Sequence, residues 1–194
     1  MNTPSVRQTD TKTALMDSAE RAVRARGFDG FSYADLARAI GIRKASIHYH
    51  FPTKANLSAA LMDRSHATYD AYCARIDAAH DTGGHRLAAL IDFYRSALND
   101  GRTLCLCVAF TGSRESLSEP LTAKVAAFRK AVIDWLTTVY EQAARDQTIA
   151  RVSNPHLEAR ATLALLEGAQ IAARAEEAAA LFDQHIALLS ARLN

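Results

Sequence analysis

Apolar residues recur along this chain at spacings of three and four, and the polar breaks between the periodic stretches predict helices throughout, with no convincing strand. A first helix is predicted over about residues 11–27, burying Leu15, Ala19, Ala22 and Val23; Gly27 ends it, and Phe28 and Phe31 plug the base of a helix-turn-helix. That motif spans residues 33–51, which read as two short helices crossing at a tight turn. Ser32 and Asp35 form a capping-box-like pair, Ala37 is small enough for the crossing, Gly41 makes the turn, and Ile40, Ile42 and Ile47 fill the space between. Pro52-Thr53 breaks the chain, and Thr53 caps a long helix over 54–80 with Leu57, Leu61, Met62, Tyr69, Tyr72, Cys73 and Ile76 as its buried positions. Residues 81–84 form a loop.

The same pattern continues to the carboxy end. A helix over 85–99 buries Leu87, Leu90, Ile91, Tyr94 and Leu98 and stops at Asp100-Gly101; the next is predicted from near Arg102. After the breaker ending in Pro120, a strongly periodic helix places Leu121, Val125, Phe128, Val132, Trp135, Leu136 and Val139 on one side. Asn154 caps, and Pro155 opens, a helix to about 175, and a last one covers 176–193. These last two are rich in Ala and Leu, with apolar faces wider than one neighbouring layer needs. They read as a dimer face, the alternative being a tightly packed single-chain bundle. The fold class is therefore all-α, with about nine helices: a three-helix amino-terminal head (1–53) carrying the helix-turn-helix, and a helical bundle over 54–194.

Read at about 100° per residue, the second helix of the motif turns Ile47 and Phe51 inward. Opposite Ile47 lie Ala45 and Tyr49, with Ser46 and His48 on the flanks and Lys44 at the amino end. Such a face suits a DNA major groove: Ala45 permits close approach or touches a thymine methyl, Tyr49 reaches a base edge or phosphate, and Ser46 and His48 bond phosphate oxygens. An ordinary helical hairpin with a polar solvent face is the alternative.

With 194 residues, 49% of them hydrophobic, the chain can bury a sizeable core. Net charge is only +2, yet residues 1–65 hold ten Lys or Arg against six Asp or Glu, leaving a mildly acidic remainder; a basic head on such a body fits a polyanion partner. The first ten residues lack the apolar core of a signal peptide and no apolar run spans a bilayer, so a cytoplasmic protein without membrane contact is expected. The three cysteines form no disulfide pattern and are expected to be reduced. No phosphate-cradling glycine loop, Gly-x-Ser-x-Gly elbow or His-Glu-x-x-His pair argues for an enzyme. His48-x-His50 points its rings about 200° apart on a helix, so no metal and no cofactor is expected.

The residues Gly27-Phe28, Phe31-Ser32-Tyr33, Leu36-Ala37, Gly41-Ile42, Lys44-Ala45-Ser46-Ile47, Tyr49-His50-Phe51 and Lys54 resemble, in order and spacing, the DNA-binding pattern of the TetR-type transcriptional regulators. The family commonly carries Tyr where this chain has His48, a residue type that gains charge near pH 6.5. The resemblance implies a homodimer paired through its last two helices and seated on the double-stranded DNA of a palindromic operator. It also implies a repressor that a small-molecule effector releases. The DNA-binding set it implies is Ser32, Tyr33, Lys44, Ala45, Ser46, His48, Tyr49, His50 and Lys54, the last on phosphate at the start of the long helix.

For the effector pocket the candidates are Tyr69, Cys73, Phe93, Tyr94, Cys105, Phe110 and Trp135, with Glu167 and Gln170 interrupting the apolar run of the penultimate helix. That mixture suits an apolar or aromatic molecule with a polar end. Each aromatic can equally be core, and Glu167 can sit at a dimer seam with Arg160 or Arg174. Residues 104–107, Leu-Cys-Leu-Cys, resemble a cysteine-bearing segment of the electrophile-responsive branch, which includes the N-ethylmaleimide-sensing repressors. Cys105, in or near the first turn of a helix starting at Arg102, is then a thiol sensor, the alternative being that it merely lines core or pocket.

Overall fold

The computed structural model describes residues 6–194, with side chains from Asp10 onward. The reading of the first ten residues as lacking a signal peptide therefore lies almost wholly outside the described side chains. Among the described residues there are ten α-helices and one 3-10 turn (114–116): α1 (Val6–Arg26), α2 (Tyr33–Ile40), α3 (Lys44–His50), α4 (Lys54–Ala79), α5 (Gly83–Ser96), α6 (Leu106–Thr111), α7 (Glu119–Asp146), α8 (Pro155–Ala175), α9 (Ala180–His185) and α10 (Ala187–Ser190). The all-α expectation holds. The described residues form two compact units, one of residues 6–65 with 106–125, the other of 66–105 with 126–194.

In the first unit, Leu15, Ala19 and Val23 of α1, Leu36 of α2, Ile47 of α3 and Leu57 and Leu61 of α4 are buried together with Phe28, Phe31 and Phe51. The segment 106–125 belongs here as well. Phe110 of α6 is fully buried against Phe28, ring centroids 6.2 Å apart, and Gly27 turns out of α1 at φ +77° just where a Cβ would approach the Ala109 carbonyl and the Ser113 hydroxyl. Ser116 also donates to Asp29 at 2.9 Å, and Lys124 pairs with Asp63.

In the second unit, Leu87, Leu90, Val132, Leu136, Val139, Leu163, Leu166 and Phe182 form the core, and the Tyr140 hydroxyl meets that of Thr162 at 2.5 Å. Asp146, at the end of α7, clasps the start of α5: its carboxylate accepts from the Gly83 amide at 2.9 Å and from the Thr148 amide and hydroxyl, while the Gly84 amide donates to the Thr148 hydroxyl at 2.7 Å. Two predicted elements differ. Helix α5 ends at Ser96 rather than about 99, because Asn99, Asp100 and Gly101 all take the left-handed conformation, and the next helix begins at Leu106 rather than near Arg102. The last predicted helix is two short ones: Glu177 at φ +50° closes off α8, and Leu193 instead forms a β-bridge with Ile149.

Candidate nucleic-acid interface

Local chemistry builds the head. Ser32 caps α2 as predicted: its hydroxyl accepts from the Asp35 amide, and the Asp35 carboxylate accepts from the Ser32 amide at 2.9 Å and hydroxyl at 2.7 Å. The Ser32 side chain and amide hold the Asp35 carboxyl below the usual carboxylate range, against the opposing effect of burial, with Arg38 adding to the lowering. Gly41 closes α2 at φ +71°, a conformation costly for any residue with a Cβ. Ile47 points inward with no exposure, so the opposite side of α3 must face out. There Tyr49 is 73% exposed, beside exposed Lys44, Ala45 and His48 and half-buried Ser46 and His50. The Tyr49 and His50 rings meet edge to face at 5.2 Å.

Three residues of the expected DNA-binding set hold the head together instead of lining this face. Ser32 is committed to its capping box. Tyr33 is buried, donates its hydroxyl to the Phe51 carbonyl at 2.9 Å and is pushed up to about 12 by burial, so it stays a neutral donor. Lys54 departs most from expectation. Its ammonium donates to the Phe31 carbonyl at 2.6 Å and lies 4.2 Å and 4.5 Å from the ring centres of Phe31 and Phe28. Burial lowers its pKa, with Asp29 and Asp35 opposing. A cation so engaged is a staple of the head. Sequence reasoning passed over Arg43, exposed at the N-cap of α3 directly before Lys44; the signal was simply a second cation at the same helix end.

These features meet in the comparisons. The family model described as bacterial regulatory proteins of the tetR family matches residues 15–61, which cover α2, α3, most of α1 and the start of α4. Residues 15–61 thus carry the amino-terminal segment of the tetR family of bacterial regulatory proteins. Over 97 residues it is 32% identical to the HTH-type transcriptional regulator TtgR of Pseudomonas putida, a stretch covering 48% of this chain and 46% of TtgR. The chain thus spans about half, or less, of the length of the curated relatives it matches. A TetR-family regulator from Agrobacterium tumefaciens superposes with a TM-score of 0.90 and 26% identity, covering 96% of this chain and 99% of that one. AibR, solved in complex with isovaleryl coenzyme A and operator DNA, shares the fold at a TM-score of 0.65 and 21% identity over 80% of this chain and 83% of its own.

The residues expected to bind an effector fall into separate groups. Tyr69, Phe93 and Tyr94 come together in the second unit: Tyr69 is buried, with Phe93 at 6.4 Å and Phe128 at 5.4 Å, and Tyr72 stacks on Phe93 at 4.5 Å. The Tyr69 hydroxyl faces the Cys73 thiol without reaching hydrogen-bond geometry and has no other partner among the described residues; burial pushes the Cys73 thiol up to about 12. Gln170 acts as a backbone clamp. It is fully buried, its carbonyl accepting from the Cys105 amide at 3.0 Å and its amide donating to the Tyr94 carbonyl at 2.8 Å, so both ends are used. Glu167 is paired with Arg129 rather than with Arg160 or Arg174, and Trp135, half-exposed, donates to Asp77 at 3.1 Å. Phe110 is core of the first unit. Cys105 precedes α6 rather than lying in its first turn, half-buried, while Cys107 is buried. Among the described residues no helix is long and apolar enough to cross a membrane, and no group of three His, Cys, Asp or Glu side chains is placed to hold a metal ion.

Proposed function

We propose that the chain is a sequence-specific DNA-binding transcriptional regulator of the cytoplasm, not an enzyme: a dimeric repressor whose residues 1–53 read a palindromic operator and whose residues 54–194 bind an effector and a second copy. The observation that carries this is the outward face of α3, where Lys44, Ala45 and Tyr49 are exposed opposite the buried Ile47. The Tyr49 ring is 73% exposed at that point. A seven-residue helix makes few contacts, and two of them, about 34–36 Å apart on a two-fold dimer, supply the rest.

Helix α8 supports the second copy. Leu157, Ala161, Ala164, Gly168, Ile171 and Ala175 recur at alternating spacings of four and three and are all exposed, with Leu157 at 61% and Ile171 at 52%. Leu188 of α10 is 86% exposed. For the effector, the rings around Tyr69 and its buried hydroxyl favour an apolar or aromatic molecule with one polar end, since leaving such a hydroxyl unpaired costs about 1–3 kcal/mol. The structure of AibR with both a coenzyme A thioester and operator DNA supports a scheme in which one chain answers to two ligands. An effector that prefers the DNA-incompetent arrangement shifts the population away from the operator.

An electrophoretic shift with the DNA just upstream of the chain's own gene tests the reading. Specific retardation that Tyr49→Ala weakens about tenfold or more supports it, since one base contact contributes about 1–3 kcal/mol. Affinity for operator and random DNA that is equal in wild type, or operator affinity unchanged by Tyr49→Ala, overturns it.

A further inference from the structure

We infer that His48 makes DNA binding proton-linked: its outer ring nitrogen reaches a backbone phosphate only as the imidazolium, so each head takes up one proton when it docks. The inference rests on the DNA-binding reading above and deepens it.

The geometry fixes the tautomer. His48 Nδ1 lies 3.1 Å from the Pro52 carbonyl oxygen, four residues on. A carbonyl only accepts, so Nδ1 carries a hydrogen and donates it. The edge-to-face contact with Tyr33, ring centres 5.0 Å apart, holds the imidazole in that orientation. The second nitrogen, Nε2, is then a bare lone pair in the neutral ring and an N–H donor only in the charged one. A phosphate offers acceptors alone. A neutral His48 would therefore set a lone pair against phosphate oxygens, and the contact forms only when Nε2 gains a proton.

Position says that phosphate is what this nitrogen meets. His48 is exposed and about 100° around α3 from both inward Ile47 and outward Tyr49, hence on the flank, where the wall of a groove passes rather than its floor. The charged and titratable groups of the neighbouring elements are committed elsewhere. From α2, Tyr33 is a neutral phenol bonded to Phe51, and Asp35 is held by Ser32 and faces Arg38; from α1, Lys12 lies over the Phe51 ring; from α4, Lys54 is bonded to Phe31. On α3 itself Lys44 is one turn back, and His50 is turned to Tyr49. Among the described residues no carboxylate forms an ion pair with His48. The phosphate, and not a carboxylate of the head, is then the partner that favours the charged ring, and the linkage appears on binding.

The probe is a duplex that the wild-type chain itself selects from a random-sequence library, its affinity measured between pH 6 and 8 at fixed salt. Wild type should weaken as pH rises, approaching tenfold per pH unit for each head engaged, while His48→Tyr, whose hydroxyl donates without a proton, should lose that slope whatever its affinity. Because a variant can misfold, calorimetry on wild type in buffers of different ionisation enthalpy gives a second reading, with uptake of about one proton per chain expected. A wild-type affinity flat with pH, no proton uptake, or an equal slope in folded His48→Tyr overturns the inference and leaves DNA binding standing. Failure to select any duplex overturns the DNA-binding reading and takes the inference with it.

Discussion

Replacing Gly168 by Ala tests whether a second copy of the chain covers α8. Beyond its chain neighbours and the nearby backbone of its own helix, the Cβ that Gly168 lacks would meet no described atom within 4 Å. A glycine inside a helix costs about 1 kcal/mol relative to alanine. In a lone chain Gly168→Ala is therefore stabilising by about that amount, worth roughly 2–4 °C in Tm at this size. In a dimer the outcome reverses. The gain in helix propensity is present in free and paired chains alike and cancels from the dissociation constant, whereas the added methyl sits only in the seam. Overpacking a close contact costs about 1–3 kcal/mol, and a two-fold interface counts it twice. Dimer affinity should fall by about 2–6 kcal/mol, which is about thirtyfold at the least. Sedimentation equilibrium gives that constant, and denaturant melts at several protein concentrations separate it from the stability of the single chain. A Gly168→Ala protein that dimerises as tightly as wild type, or a wild type that stays monomeric at tens of micromolar, would refute the assignment of this strip to the seam.

Lys54→Met should lower the stability of the head by about 1–3 kcal/mol in chemical denaturation, through loss of the Phe31 bond and the ring contacts, without changing the salt dependence of DNA binding; a smaller salt slope at unchanged stability would restore Lys54 to the phosphate contacts. For the Asp146 clasp, burial pushes the carboxyl up, but bonds from the Thr148 hydroxyl, the Gly83 and Thr148 amides and Gln142 outweigh it and hold the pKa below the ordinary 3.8. Its contribution is then complete above the usual carboxylate range and disappears as pH falls through the lowered value. Asp146→Asn should be less stable than wild type near neutrality and converge with it in strong acid; a stability difference constant with pH would show that the carboxylate charge is not what matters. Alkylation at pH 8 mapped by mass spectrometry should mark half-buried Cys105 well before Cys73, whose thiol is buried and pushed up to about 12. Equal labelling would contradict that ordering, while loss of operator binding on labelling, prevented by Cys105→Ser, would favour an electrophile sensor.

What was legible in the sequence is what short-range chemistry decides. The Ser32–Asp35 box and Gly41 act within a few residues of themselves, and Ile47 fixes the facing of α3 by helical period alone. The contacts that were not legible are those whose partners lie far along the chain. Lys54 follows a helix cap and reads as a free cation, and only the fold brings the Phe31 carbonyl, 23 residues earlier, to its ammonium. Gln170 reads as a polar intruder on an apolar helix, yet its two bonds, to Cys105 and Tyr94, span 65 and 76 residues. That clamp also helps explain the late start of α6, since it holds the Cys105 amide outside any helix. Of the residues expected to line a pocket, Tyr69 and Phe93 lie together because aromatic side chains seek one another across a core, while Phe110 packs with Phe28 in the other unit.

The head's discontinuity constrains how the reader of DNA can be exchanged among relatives. Residues 106–125 complete it, through Phe110 on Phe28, Ser116 on Asp29 and Lys124 on Asp63. Recombination that grafts a foreign amino-terminal cassette at a cut after the helix-turn-helix would inherit only one side of each pair, leaving Phe110 facing a surface shaped for another ring. Swapped specificity then calls for a second graft far downstream. Gradual change confined to the outward face of α3 carries no such debt, because Lys44, Ala45 and Tyr49 there are exposed.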